Sequence, residues 1–448
     1  MRCGENRNSR AQYVVLVSGK YNEVSMSMRP HFYSFCSLAV AGLLVVLDTA
    51  HTAKAGDWPG WRGPSGMGYA TEKGLPLHWD IKTGQNILWK VALPKTTGHS
   101  SPIVWGDRVF LTTAAKQTNA QESAKEIPEH HLCCFQASDG KLLWRTPIQP
   151  GKEPMGYAIY AVPTPVTDGK VVYCWFGSAV VAAVDFDGKL LWRHERAGPF
   201  KLNPGITSSP VLYQDTLLLL CDQGSGGWLQ ALDKTTGEIK WEQKRSKLSY
   251  CNTTPVLITV NDKPQLLVQA SNQLQGLDPA TGQPIWWCKA KGFGSSPVYH
   301  SGLVFSDSGN GEAGLVVDPT GRGDVTATHI KWQFAKSPSQ YASGIIAGDY
   351  VFRAHKPGTI KCWKLATGEE VFSEAAADVP TLSSPIVTGD GLVYFAGSGK
   401  SYVVKPGPKL EVLAVNDLKS GDIAASAAVS NGRIFIRGDQ MLFCIGEK

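Results

Sequence analysis

The stretch Ala231-Leu232-Asp233-Lys234-Thr235-Thr236-Gly237-Glu238-Ile239-Lys240-Trp241 decides the fold of this chain. It predicts the end of one strand, a tight turn, and a second strand that ends in Trp. The Asp233 carboxylate can hydrogen-bond the backbone of the turn that it opens, and Gly237 can adopt the positive φ that such a turn needs. Trp241 is large enough to wedge between two packed sheets.

Weaker copies of this stretch recur along the chain. The match from Gly276 to Trp286 differs only at the first position, and the match from Leu365 to Phe372 keeps Ala-Thr-Gly with Phe in place of Trp. Two shortened copies, Ala183 to Trp192 and Ala137 to Trp144, end in Asp-Gly-Lys-Leu-Leu-Trp. Recurrence at a long period indicates a repeat architecture.

A pair of small residues near Pro forms a second marker, and each copy leads into a strand, a turn and another strand. After a first step of 63 residues, which contains a polar insertion from Ala114 to His131, the copies are 41 to 47 residues apart. The eight copies are Ser100-Ser101-Pro102, Pro163-Thr164-Pro165, Ser208-Ser209-Pro210, Thr253-Thr254-Pro255, Ser295-Ser296-Pro297, Ala342-Ser343-Gly344, Ser383-Ser384-Pro385 and Ala425-Ser426-Ala427.

Each unit predicts four short strands, and four-stranded sheets repeated radially make a β-propeller. We therefore expect an all-β fold, an eight-bladed propeller of four-stranded antiparallel blades. The last unit, Ala424 to Lys448, has only three strands, and the orphan strand from Ile87 to Leu93 supplies the fourth. This N-terminal strand closes the ring and removes two open sheet edges. An open β-solenoid would not explain one spare strand at the start and one missing at the end.

The N-terminal region predicts export. Phe35 to Leu47 is an apolar run of 13 residues, too short to span a membrane comfortably, and Ala53-Lys54-Ala55 fits cleavage between small residues. We expect residues 1–55 to hold a signal peptide and what precedes it, 56–85 an irregular segment, and 86–448 the propeller. An uncleaved anchor is the alternative. The expected location is secreted or periplasmic, with no membrane span after cleavage.

The charge distribution and the positions of the cysteines restrict the possible functions of the protein further. The formal net charge is +6, and residues 1–55 carry half of it with six Lys/Arg and three Asp/Glu. The remainder has no basic run, so the sequence does not indicate nucleic-acid binding. Most of the eight cysteines beyond Cys3 and Cys36 sit in predicted strands, where they are expected as small buried hydrophobes.

The repeats resemble the quinoprotein alcohol dehydrogenase-like propellers, also called pyrroloquinoline-quinone-like (PQQ-like) repeats. The stretch Ala231 to Trp241 and its copies carry this resemblance, and Asp57 to Gly66 and His99 to Pro102 look like a secreted bacterial subgroup of PQQ-binding-like propeller repeat proteins. The resemblance is specific for the fold and weak for function. The family includes calcium-dependent quinone dehydrogenases and a non-catalytic lipoprotein of outer-membrane protein assembly.

A quinone dehydrogenase would need carboxylates and an amide around calcium, which prefers six to eight oxygen ligands. The repeat places candidate ligand-binding residues on the face opposite the Asp-Gly turns: His99, Tyr157, Tyr160, Asp222, Gln223, Asn252, Asp307, Tyr341, His355, Lys356 and Asp439. Asp222, Asn252 and Asp307 are the best calcium-type set among them. They form no motif, and solvated loops or local turn hydrogen bonds explain each equally well, so no metal or catalytic residue is assigned.

Three further features have plain structural explanations. Cys133 and Cys134 are adjacent, as in the disulfide of several quinone dehydrogenases, but strand neighbours face opposite sides, which predicts two packed thiols. His130 and His131 could bind a metal, but we expect them in an exposed loop. Ser100 and Ser101 adjoin His99, and the other copies of that position indicate a structural role for the serines.

Three functions remain open. The first is a secreted, non-catalytic propeller that binds a protein or polysaccharide of the cell envelope; this is the one we expect, since no cofactor constellation is recognisable. The second is a dehydrogenase that depends on PQQ and calcium, and the third is a polysaccharide-acting enzyme.

Overall fold

The chain divides into two units, Met1–Ala50 and His51–Lys448. The computed structural model describes residues 56–93, 96–115, 127–152, 159–196, 206–222, 226–245, 251–336, 341–421 and 423–447. The predicted signal region therefore lies outside the described residues. Within the described ranges the secondary structure consists of strands and turns, with no α-helix, and the strands form eight sheets.

Each sheet is one blade, and its strands follow one another from the axis to the rim. Blade 1 contains β2 (Thr96–Thr97), β3 (Ile103–Trp105), β4 (Arg108–Ala115), β5 (His130–Gln136) and β6 (Leu142–Ile148). Blade 2 contains β7 (Val166–Thr167), β8 (Val171–Trp175), β9 (Val180–Asp185) and β10 (Leu190–Glu195). Blade 3 contains β11 (Val211–Tyr213), β12 (Thr216–Cys221), β13 (Trp228–Asp233) and β14 (Ile239–Lys244).

The following blades repeat this order, and blade 4 gains a fifth, parallel strand at its rim. Blade 4 contains β15 (Val256–Val260), β16 (Lys263–Gln269), β17 (Gln273–Leu277), β18 (Pro284–Lys289) and the added β22 (Gly323–Asp324). Blade 5 contains β19 (Val298–His300), β20 (Leu303–Asp307), β21 (Gly314–Val317) and β23 (Ile330–Phe334). Blade 6 contains β24 (Ile345–Ala347), β25 (Tyr350–His355), β26 (Thr359–Lys364) and β27 (Glu370–Ala375).

The last two blades complete the ring. Blade 7 contains β28 (Ile386–Val387), β29 (Val393–Phe395), β30 (Lys400–Lys405) and β31 (Glu411–Asp417). Blade 8 contains β1 (Ile87–Ala92), β32 (Ala428–Ser430), β33 (Arg433–Arg437) and β34 (Met441–Ile445). Strand β1 pairs antiparallel with β34, with Val91 opposite Leu442. The predicted eight-bladed fold and its closure by the N-terminal strand are both confirmed.

A one-residue bulge occurs at the same place in the outermost repeat strand of all eight blades, directly before the position of the repeat Trp. A bulge changes the direction in which the next side chain points. The indole N–H of Trp89, Trp144, Trp192 and Trp332 each donates to a backbone carbonyl of the next blade, at 2.7–3.1 Å. The repeat Trp therefore docks one blade onto its neighbour, as its recurrence predicted.

Blades 4 and 7 depart from this arrangement. Trp286 is fully buried against its own blade, where its Nε1 donates to Gln265 Oε1 at 2.8 Å. A Cβ atom at Gly276 would lie 2.2 Å from that Nε1, which explains why Gly replaces the Ala of the other copies. In blade 7 the Trp position is Ala414, and Trp79 from the N-terminal segment belongs to the same hydrophobic cluster.

The segment before β1 runs beneath the inner strands on the side of their turns. Trp58 bridges Val104 of blade 1, and the Pro59 carbonyl accepts from the Thr167 N–H of blade 2 at 2.9 Å. The Gly68 carbonyl then accepts from Val387 N–H of blade 7 at 2.8 Å. The Met67 Sδ accepts a hydrogen bond from Tyr299 N–H of blade 5, which is opposite blade 1, at 3.0 Å, so the segment crosses one end of the axis.

Candidate functional site

A closed ring of hydrogen bonds surrounds the axis. The second residue of each small pair donates its backbone N–H to the side-chain hydroxyl of the corresponding Ser or Thr in the next blade, at 2.9–3.0 Å in all eight cases. We call these residues the hydroxyl ring; they are Ser101, Thr164, Ser209, Thr254, Ser296, Ser343, Ser384 and Ser426. The final bond, from Ser426 to Ser101, joins blade 8 to blade 1.

A cavity of about 540 Å³ lies on the axis and includes six members of the hydroxyl ring. Trp61 of the N-terminal segment lies at its closed end, and residues that precede the small pairs form its wall toward the loop face. The lining residues outside the ring are Trp61, His99, Ile159, Val162, Thr207, Asn252, Gly294, Tyr341, Leu382 and Ala424. The cavity is therefore a blind funnel, the concave and largely apolar kind of site that binds small ligands.

Three of the predicted site residues, His99, Asn252 and Tyr341, come together on this wall. Burial, and secondarily the nearby Arg437, lowers the pKa of His99 to about 4, so its imidazole is neutral at physiological pH. Tyr341 is 48% exposed and lies 6.0 Å, centroid to centroid, from the ring of Phe293. It presents an aromatic surface at the mouth of the funnel.

Two residues of the best calcium-type set, Asp222 and Asp307, are paired with buried arginines. The Asp222 carboxylate accepts two hydrogen bonds from Arg245, at 2.8 and 3.0 Å, and Asp307 lies 2.5 Å from Arg353 Nε. Burial raises the pKa of both carboxyls, while the adjacent guanidinium groups oppose that shift. These buried ion pairs brace the blades, and a partner removed from either would leave an uncompensated charge.

The remaining predicted site residues do not line the cavity. Tyr160 and His355 are buried in the core, where His355 packs edge-on against Trp363 at 6.1 Å. Lys356 and Asp439 are exposed. Tyr157 and Gln223 lie outside the described residues. Within the described part of the chain, no cluster of three or more His, Cys, Asp or Glu could hold a metal ion.

The expectation that His130 and His131 lie in an exposed loop is wrong. Both are buried on β5, because β4 and β5 extend their pairing as far as Ala114 opposite His130. The His130 imidazole stacks on Phe176 at 4.6 Å and its Nε2 contacts Ser178 Oγ at 2.7 Å. His130 and His131 face opposite sides of the strand, so they do not converge on one ion.

The adjacent cysteines are unpaired, as predicted. Cys133 packs in the cluster shared by blades 7, 8 and 1, whereas Cys134 packs in the cluster of blades 1 to 3. The eight described cysteines are all buried and free. They act as small core residues.

Sequence reasoning treated the small pairs as structural markers and did not place them on a cavity. The strict recurrence of a hydroxyl at the second position was the available signal, since Ser and Thr hydrogen-bond a backbone and still carry a donor. Trp61 and Ile159 were also missed, because residues outside the repeat have no counterpart that would place them on the axis. Val162 and Leu382 occupy the same repeat position as His99 and Asn252, but they were missed because their side chains are apolar.

Fold and site together define an eight-bladed propeller of PQQ-like repeats with a blind axial funnel. The family model described as outer membrane protein assembly factor BamB matches residues 66–224 and 128–374, more than half of the chain. The chain belongs to this family.

Individual relatives agree with this assignment. The chain is similar to an outer membrane protein assembly factor BamB of Yersinia pestis, with 23% identity over 359 residues, which is 77% of this chain and 83% of that protein. A relative of the same description from Francisella salina is 30% identical over 105 residues, 22% of this chain and only 18% of that protein. Both names are those of an assembly factor, in agreement with the expectation that this protein is not an enzyme and has no assigned cofactor.

Solved structures show the same fold. BamB from Moraxella catarrhalis superposes with a TM-score of 0.58 at 15% identity, covering 80% of this chain and 96% of that one. A europium-containing methanol dehydrogenase superposes with a TM-score of 0.52 at 12% identity, covering 87% and 91%. Among the described residues, no helix is long and apolar enough to span a membrane.

Proposed function

We propose that this protein is a non-catalytic scaffold of the bacterial cell envelope that binds other proteins during outer-membrane protein assembly. The observation that carries the proposal is the family match over residues 66–374, together with relatives named for that process. The geometry supports this proposal, because the two carboxylates best placed to hold calcium, those of Asp222 and Asp307, form ion pairs with buried arginines. The proposal includes export to the periplasm, with the mature chain starting at Gly56, and no relative reported above favours a polysaccharide partner.

The loop face is the proposed contact surface. It carries the exposed Tyr341 at the funnel mouth, beside Phe293, and aromatic side chains of this kind are common anchors at protein interfaces. The opposite face is occupied by the N-terminal segment, which leaves less of the inner strands accessible there.

The test is binding of the purified protein to the outer-membrane assembly machinery isolated from the same organism, measured by surface plasmon resonance. We expect saturable binding that Tyr341→Ala weakens at least tenfold, and that Leu142→Ala, at an exposed position on the rim, leaves unchanged. Absence of binding, or equal effects of the two substitutions, would contradict the proposed surface.

A second measurement separates the scaffold from a dehydrogenase. Calorimetric titration with PQQ and Ca²⁺ should give no binding tighter than about millimolar. Micromolar binding together with dye reduction in the presence of an alcohol would replace the scaffold proposal. Cell fractionation and N-terminal sequencing of the exported chain test the periplasmic location.

A further inference from the structure

Exposed aliphatic side chains recur at one position of three neighbouring blades. Leu142 and Leu143 begin the outermost strand of blade 1, Leu190 and Leu191 begin that of blade 2, and Ile239 begins that of blade 3. Each of these side chains is 38–48% exposed. We call these five residues the leucine corner. Single exposed aliphatic residues are ordinary, whereas exposed aliphatic residues grouped on adjacent elements mark a contact surface.

The repeat itself does not require aliphatic residues at this position. In blades 5 and 6, which lie across the ring from blades 1 and 2, the corresponding pairs of residues contain Lys331 and Glu370. These charges form ion pairs within their own blades, at 3.3 Å each. The Leu pairs of blades 1 and 2 are therefore a feature of one side of the ring and not a consequence of the fold.

The leucine corner is a set of protruding edges and not a groove. Both members of each Leu pair are exposed on an outermost strand, and all five residues directly follow a turn. They therefore lie at the turn side of the rim, the side on which Gly106 N–H binds Asp57 near the start of the described chain. Protruding side chains that share one side of a disc fit a flat, deformable partner, and the interfacial region of a lipid bilayer is such a partner.

The charges around the leucine corner cancel. Residues 138–143 contain Asp139 and Lys141, residues 186–191 contain Asp187 and Lys189, and residues 233–240 contain two acidic and two basic residues. A surface without net charge selects neither an anionic membrane nor a basic peptide. It matches a zwitterionic headgroup, because Lys can approach the phosphate and Asp the ammonium group, while the Lys stem stays beside the adjacent Leu.

We propose that the leucine corner rests on a bilayer of zwitterionic phospholipid, with its aliphatic side chains in the interfacial region. Removal of these side chains from water stabilises the contact. The contact leaves the loop face of the propeller free, so it goes beyond the proposed protein-binding function and does not depend on it.

The experiment is flotation of the mature chain, Gly56 to Lys448, with vesicles of phosphatidylethanolamine and phosphatidylcholine. Residues upstream of Gly56 are left out, so they cannot contribute an anchor. We expect the parent to float with the vesicles at low and at high salt, because salt screens charges and not apolar contacts. Leu142→Ser combined with Leu190→Ser should weaken the partition into the vesicles roughly tenfold, since two aliphatic side chains are lost from the contact.

The matched control is Val412→Ser combined with Val415→Ser on the outermost strand of blade 7. These valines are 39% and 50% exposed, and Val412 occupies the repeat position of Leu142 in a blade that does not adjoin the leucine corner. We expect parental flotation of the control. Both double variants should melt at the parental temperature, because all four side chains are exposed.

Several results would overturn the proposal: no flotation of the parent, loss of its binding at high salt, or equal losses in the two double variants. A parental dimer that the leucine variant cannot form would also overturn it, since the leucine corner would then be an interface between two copies. The leucine variant should retain binding to the outer-membrane assembly machinery, so failure of the lipid contact can be distinguished from failure of the proposed function.

Discussion

The indole of Trp241 packs directly against Gly282 of the next blade, so closely that a Cβ atom at Gly282 would lie 2.6 Å from Cζ3 of the indole. The same relationship joins Trp89 to Gly140, Trp144 to Gly188, Trp192 to Gly237 and Trp332 to Gly368. The turn glycine of each repeat therefore has two roles. It adopts the positive φ of the turn, and it leaves room for the Trp of the preceding blade.

Trp241→Ala should lower the free energy of unfolding by about 3–5 kcal/mol, because it removes a large side chain from the contact between two blades. Guanidinium denaturation of the variant beside the parent measures this. Titration with PQQ should be unaffected, since the residue lies outside the funnel. Parental stability combined with altered ligand binding would move Trp241 from the blade contact into a site.

Gly282→Ala should destabilise more than Gly302→Ala. Both glycines have positive φ, +71° and +78°, so both variants incur the backbone cost of about 1–2 kcal/mol. Only at Gly282 does the new methyl group meet an indole, whereas no atom lies within 4 Å at Gly302. Denaturation curves of the two variants give the comparison, and equal losses would contradict close packing of Trp241 on the turn.

Trp79→Ala should cost more stability than Trp61→Ala. Trp79 is 3% exposed in the cluster around Ala414, where the repeat itself has no aromatic residue, and its backbone N–H, which donates to Asn416 Oδ1 at 2.9 Å, is kept in the variant. Trp61 is only partly buried, at the closed end of the funnel. We expect about 3–5 kcal/mol for Trp79→Ala and less for Trp61→Ala, measured by chemical denaturation. The reverse order would mean that the segment is anchored chiefly at the axis.

Removal of β1 should be far more damaging than shortening the insertion in blade 1. Deletion of Ile87–Leu93 exposes the edge of β34 and opens the ring, so the protein should aggregate or melt much lower. Deletion of residues 117–125 leaves Ile127 to His131 in place and should hardly change the melting temperature, because polar insertions tolerate changes in length. Thermal unfolding followed by circular dichroism tests both, and similar losses would contradict closure by β1.

Stability should fall as the pH drops from 6.5 toward 4. Burial, and secondarily the neighbouring His131, lowers the pKa of His130 to about 3, whereas the unfolded imidazole titrates near 6.5. Because the unfolded chain binds the proton first, the stabilisation is complete above pH 6.5 and declines below it, by about 2 kcal/mol at pH 5 for this group. His130→Phe should flatten the pH dependence of the free energy of unfolding, while His78→Gln, at an exposed position, should not. Parallel pH profiles for both variants would contradict a neutral buried His130.

Much of the fold could be predicted because repetition tests each inference several times. Eight small pairs and the Trp-ending strands establish the number of blades, and the unequal ends reveal the closing strand. The site was less predictable. Asp222 and Asp307 looked like metal ligands because their partners, Arg245 and Arg353, lie at irregular sequence distances from them, which no repeat pattern reveals. Trp286 packs into its own blade because Gly276 has no Cβ atom to collide with the indole. In the sequence, this glycine is only a mismatch to the repeat.

The path of the N-terminal segment determines the direction in which the protein can be attached. Asp57 Oδ1 accepts a hydrogen bond from Gly106 N–H in the first turn of blade 1, so the described chain begins at the side of the turns. A mature chain that starts at Gly56 therefore carries its free amino group at the side of the turns. If the protein is fixed to a surface through that amino group, the opening of the funnel stays accessible to an approaching molecule.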